Sequence, residues 1–256
     1  MLALLSAFTH GLASYDVIVV GSGLGGLSAG ALSAKYGKSV IVPHETGLID
    51  RFVEHGRTFA GNLINAGVYI FSPTIFERIA QRPTSMEKEV LPALAAEEQL
   101  YSMPLVGYWM NIKKPPDFLQ GTSEYLKYLR QHRPAELADA ELGDACEGNV
   151  VMDPTATVGK GCKLGPDVAI GAGCVVEDGV RLSRCILLEG CRVCAHAVVL
   201  DSILGWRSTV GEWTRVEGVS VLGEDVHLSS ELCVNGALIL PHKTIDTSVS
   251  EPQIIM

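Results

Sequence analysis

Residues 158–182 read VGKGCKLGPDVAIGAGCVVEDGVRL. Every sixth residue in this stretch is aliphatic (Val158, Leu164, Ile170, Val176, Leu182), and glycine directly follows three of them at 159, 165 and 171. A helix repeats at 3.6 residues and a strand at two, so a strict period of six belongs to neither alone. It fits a chain that turns a corner after each short strand and stacks its coils, the hexapeptide form of a parallel β-helix. The ladder extends back to Met152 and forward to Leu188, slips between Cys191 and Trp206, and resumes as Val210, Val216, Leu222, Leu228, Val234 and Leu240. Ala156, Cys162, Val168, Cys174, Val180 and Ile186, each two before a rung, are small or β-branched, as a narrow coil interior requires.

Upstream the pattern changes. LIDRFVE (48–54) alternates like a strand and INAGVYIFS (64–72) is an apolar run like a buried one. SPTIFERIAQ places Ser72 as a helix cap with Pro73 at the first helical position, and TSMEKEVLPALAAEE sets Thr84 and Glu87 at capping-box spacing. QLYSMPLVGYWMNI reads as a further strand. In PPDFLQGTSEYLKYLRQHR, Phe118, Thr122, Tyr125, Leu126 and Leu129 share one helical face. Strands alternating with helices predict part of a parallel α/β sheet.

At the amino end, YDVIVV (15–20) runs into Gly21, Gly23 and Gly26 at G-x-G-x-x-G spacing and then into a small-residue helical pattern. Such glycines allow a tight turn, close approach to a pyrophosphate and helix-strand packing. The stretch from 16 to 42 resembles the FAD-binding βαβ unit of flavin-dependent oxidoreductases of the carotenoid desaturase and isomerase type. The acid that would hold a ribose is missing, with His44 at its place and Glu45 one position late.

The order of ETGLIDRFVE, INAGVYIFSP, RPTSMEKEVLPALA, LYSMPLVGYWMNI and PPDFL, with LPHKTI and EPQIIM near the carboxyl end, resembles the mannose-1-phosphate guanylyltransferases, beta-type chain, over about residues 45–256. The resemblance implies an α/β fold, an incomplete Rossmann-like nucleotidyltransferase portion, followed by a left-handed parallel β-helix of hexapeptide repeats. It divides the chain into a flavoprotein-like fragment (1–44), the carboxyl-terminal portion of a nucleotidyltransferase domain (45–135) and the β-helix (145–256). It further implies GTP and mannose 1-phosphate as substrates, Mg²⁺ as the metal, and assembly through the β-helix as a homo-oligomer or with a paralogous regulatory chain.

By the same resemblance Glu54, Asn65, Ala66 and Gly67 face the sugar phosphate. The family's Phe-Val-Glu-Lys-Pro here reads FVEHG, so His55 and Gly56 replace the lysine and proline. The family's metal-binding aspartate is Asn111 in YWMNIKK, and an amide oxygen brings no charge to a hard cation. The glycine-rich GTP loop and the first metal carboxylate are absent, so weak or no activity is expected. A non-catalytic β-helix assembly subunit and a flavin or nicotinamide oxidoreductase fragment remain as alternatives.

The 256 residues are 47% hydrophobic and 19% charged, which excludes a disordered polymer, and a formal net charge of −9 argues against nucleic acid as partner. Seven cysteines scattered through the chain suit a reducing cytoplasm rather than a disulfide scaffold. MLALLSAF is apolar but has no basic flank before Lys35 and is too short to span a membrane. CRVCAH (191–196) lacks the second pair of ligands that zinc requires. His196, His227 and His242 suggest, more distantly, a hexapeptide acyltransferase.

Overall fold

The computed structural model describes residues 17–20, 40–43, 47–53, 63–103, 109–138 and 142–256. Residues 1–111 and 112–256 form separate units. In the first, strand Val17–Val20 lies between Tyr69–Phe71, antiparallel to it, and Tyr101–Met103, parallel to it. Val40–Pro43 pairs antiparallel with Ile49–Val53 and Leu63–Ile64 in another sheet. A βαβ unit would set Val17–Val20 and Val40–Pro43 side by side in parallel. Both edges of Val17–Val20 are instead taken by other strands, so the flavoprotein-type pair is not formed. The expected parallel sheet is correspondingly a mixed one.

The apolar run from Ile64 to Ser72 is not one buried strand. It breaks at Asn65–Val68, where Gly67 takes a left-handed φ of 75°, and Tyr69–Phe71 beyond the break is half-buried. Helix α1 (Ile75–Arg78) starts later than expected, because Ser72 lies before the cap at Thr74, its carbonyl accepting from Ile75 N–H at 3.0 Å. The next cap is Ser85 rather than Thr84: Ser85 Oγ accepts from Lys88 N–H at 3.2 Å, and Glu89 Oε1 accepts from Ser85 N–H at 3.1 Å. Thr84 spends its hydroxyl on the Arg82 carbonyl at 2.9 Å. A π-helical turn, Met86–Val90, then leads into α2 (Leu91–Ala96). Ile49, Leu91, Leu94 and Leu100 are fully buried and make this unit's core.

The second unit is a parallel β-solenoid of about six turns. Its three faces hold seven strands (Val150–Met152 to Ile254–Ile255), six (Thr157–Val158 to Thr244–Ile245) and five (Lys163–Leu164 to Cys233–Asn235). The registers give the coil lengths directly. Leu164 pairs with Leu182, 18 residues on; Leu182 pairs with Val199, 17 on; Val216 pairs with Val234, 18 on. The shorter coils take a five-residue step at one corner. Leu187 and Ile239 are therefore the buried rungs, 1% and 3% exposed, where the period of six points to Leu188 and Leu240. Val193, Val199 and Leu204 fill the gap in the ladder.

The corner positions are as small as the coil interior demands, and several are polar. Ser202, Ser208, Thr214 and Ser220 are completely buried, and each spends its hydroxyl on a backbone carbonyl. Ser208 Oγ donates to the Gly223 carbonyl at 2.8 Å and accepts from Val226 N–H at 3.1 Å. Thr214 Oγ1 donates to the Ser229 carbonyl at 2.7 Å and accepts from Leu232 N–H at 3.2 Å. Cys174 and Cys191 stand in the column of Ser208 and donate to the carbonyls of Leu188 and Gly205, each at 3.0 Å. Close stacking also dictates glycine at Gly205, since a Cβ there would run into the Gly223 carbonyl of the next coil.

Helix α3 (Pro115–His132) belongs to this unit. Leu126 and Leu129 pack with Leu137 and Val151. Ser123 Oγ donates to Asp167 Oδ2 at 2.7 Å, and Arg130 Nε donates to Asn149 Oδ1 at 3.0 Å. Phe118 and Tyr125, on the face read as apolar, are exposed. No helix among the described residues is long and apolar enough to cross a membrane.

Candidate functional site

Asn65, Ala66 and Gly67 form the turn between two strand segments of the first unit. Asn65 is 7% exposed and its amide is fully engaged by the protein. Its Oδ1 accepts from Gly67 N–H at 2.9 Å, which closes the turn. Its Nδ2 donates to Glu87 Oε1 at 3.3 Å and to the Tyr69 hydroxyl. Trp109 Nε1 donates to the Ala66 carbonyl at 3.0 Å and pins the turn from 43 residues along the chain. Burial pushes the Tyr69 hydroxyl above its ordinary pKa, against the opposing hydrogen bond from Asn65, so it stays protonated near neutrality.

The part of the turn that faces outward is therefore backbone. Gly67 is exposed, and a Cβ added to it would meet nothing within 4 Å. Asn65, expected to face a sugar, turns inward and shapes the turn that would do so. No signal in the sequence linked Tyr69 or Glu87 to this turn. Glu87 carries a capping-box signal, but its partner is Asn65, 22 residues away.

Asn111 is half-buried, two residues beyond the Trp109 that holds the turn. Among the described residues no cluster of three or more His, Cys, Asp or Glu side chains could hold a metal ion. Asn111 alone does not fit a resident Mg²⁺, because its amide oxygen brings no charge and that ion is held chiefly through carboxylates. Glu54, Gly21, Gly23 and Gly26 lie outside the described residues. All seven cysteines are free. In the CRVCAH segment Cys191 is fully buried inside the solenoid.

Residues 24–128 match the model of the nucleotidyl transferase family, and residues 146–255 match that of the GMPPB C-terminal domain. Over 223 residues, 87% of this chain, the sequence is 48% identical to "Mannose-1-phosphate guanylyltransferase 1" of Arabidopsis thaliana. Over the same length it is 52% identical to "Mannose-1-phosphate guanyltransferase" of Neurospora crassa and 51% to "Mannose-1-phosphate guanylyltransferase catalytic subunit beta" of Danio rerio. The chain thus carries a nucleotidyl transferase family region and a GMPPB C-terminal domain region, and over 87% of its length it is similar to mannose-1-phosphate guanylyltransferases.

It spans 61% of the length of these relatives. The nucleotidyl transferase match begins inside the glycine stretch read as a dinucleotide turn. That start, together with the separated strands, leaves the flavoprotein reading of residues 1–44 without support. The Asn65–Gly67 turn falls within the nucleotidyl transferase match and the solenoid within the GMPPB C-terminal match.

Proposed function

We propose that the chain binds mannose 1-phosphate against the Asn65–Gly67 turn and takes part in the family reaction, GTP plus mannose 1-phosphate giving GDP-mannose and diphosphate. The observation that carries this reading is the turn itself, held from three sides by Glu87, Tyr69 and Trp109 while its exposed backbone is left open. In that reaction a phosphate oxygen of the sugar attacks the α-phosphorus of GTP and pyrophosphate leaves, a step governed by positioning and charge neutralisation. The rigid turn serves positioning. Charge neutralisation is weakened, because Asn111 replaces a carboxylate and His55 replaces a lysine.

Turnover is therefore slow or absent in the chain as it stands. Pyrophosphate release with GTP, mannose 1-phosphate and Mg²⁺ tests this, with an Asn111→Asp, His55→Lys double variant beside the unchanged chain. The expected result is a gain of at least tenfold in the variant. Full family-like turnover by the unchanged chain would overturn the proposed loss, and failure of mannose 1-phosphate to bind either form would overturn the site. We further propose a reducing, cytoplasmic setting, supported by seven free thiols, the Glu54 side chain as a second sugar-phosphate contact, and assembly through the solenoid.

A further inference from the structure

A groove of about 550 Å³ runs along the outside of the five-stranded solenoid face. Gly179, His196 and Trp213 line it at one corner, and Arg181, Val198 and Arg215 on the strands that follow. The registers align these residues coil upon coil, Arg181 opposite Val198 and Val198 opposite Arg215. Two rungs at the strand spacing set the two arginines about 10 Å apart.

The corner is built around rings. Trp213 is 62% exposed, yet its indole is stacked on His196 with centroids 4.3 Å apart and planes 25° from parallel. His196 in turn leans over Gly179, where a Cβ would strike the imidazole. The indole thus rests on a prepared support rather than swinging free. Arg215 shares its guanidinium with Glu217 at 2.7 Å, whereas Arg181 has no carboxylate partner among the described residues. In a chain of net charge −9 this sets one unpaired and one singly paired guanidinium beside an aromatic plane.

We propose that this groove binds a nucleoside diphosphate or a related nucleotide, its base against the indole of Trp213 and its phosphates on Arg181 and Arg215. Aromatic planes accept bases by stacking, and guanidinium groups take phosphate oxygens in paired hydrogen bonds. The acidic remainder of the surface makes a bare apolar ligand or an acidic protein a poorer fit, since neither uses both features. The site lies wholly within the solenoid and is independent of the reaction proposed above.

Isothermal titration of the full chain with GDP tests it, with guanosine and inorganic pyrophosphate titrated in parallel. Saturable GDP binding should weaken at least tenfold in Trp213→Ala and, separately, in Arg181→Gln. Guanosine and pyrophosphate should each bind at least tenfold more weakly than GDP. Circular dichroism and the thermal midpoint of the variants should be unchanged, because both side chains are outside the coil. Absence of saturable GDP binding would overturn the proposal. So would GDP affinity equal in the parent and both variants, which would place that binding elsewhere in the chain.

Discussion

Asn65 shows how one buried amide shapes a turn that it does not itself expose. Its three hydrogen bonds are all internal, and what it presents is the backbone of Gly67. Trp109→Phe keeps the packing but removes the donor to Ala66, so it should cost about 1 kcal/mol in urea unfolding and weaken the proposed binding of mannose 1-phosphate in an equilibrium titration. Thiol chemistry separates the cysteines equally sharply. Burial pushes the Cys185 thiol up to about 12. The hydrogen bond shared with Cys174, reinforced by burial, also holds the Cys191 thiol up. Iodoacetamide at pH 8, read by peptide mass spectrometry, should label exposed Cys233 and leave Cys185 and Cys191 untouched until the chain is unfolded.

At the scale of elements, a period of six in aliphatic residues carried the solenoid, because every coil repeats one steric demand. The five-residue corners were not legible. Leu187 and Leu188 are the same residue type, and Ile239 and Leu240 nearly so; only the length of the corner decides which points inward. Ile239→Ala should therefore lower the unfolding free energy by about 2–5 kcal/mol, and Leu240→Ala by less than about 0.5 kcal/mol, in matched denaturant titrations. Caps failed in the same local way, Thr84 losing to Ser85 because its hydroxyl found Arg82 first. Between coils, the hydrogen bond from His242 and the charge of His227 hold the Asp225 carboxyl below its ordinary value of 3.8. The folded state then releases this proton more readily than the unfolded chain. Its stabilising effect is complete above the ordinary value and fades as pH falls below it. Asp225→Asn should therefore lower the thermal midpoint near pH 7 and converge with the parent as pH falls below 3.8.

Across the whole molecule, family order was readable in segments such as INAGVYIFSP and RPTSMEKEVLPALA, which a single fold keeps in sequence. The sheet pairing of the first unit was not readable, because Val17–Val20 meets partners some 50 and 80 residues away and no local pattern records such a choice. The inward turn of Asn65 was hidden for the same reason, since Glu87 and Trp109 reach it from other elements. An activity gain in Asn111→Asp would show that a chain spanning 61% of a relative's length assembles a working centre.

The buried hydroxyls of the solenoid have a consequence for how the stack keeps count. Ser208, Thr214 and Ser220 each grip backbone on either side of a corner, donating to one carbonyl and accepting from an N–H of a later coil. Aliphatic rungs alone would tolerate a coil sliding by a whole turn, because one Val or Leu replaces another. A slip that took those backbone partners out of line would strand a hydroxyl, a carbonyl and an N–H out of water. The fold can thus drop a residue at a corner, as its 17-residue coils do, and still never lose its place.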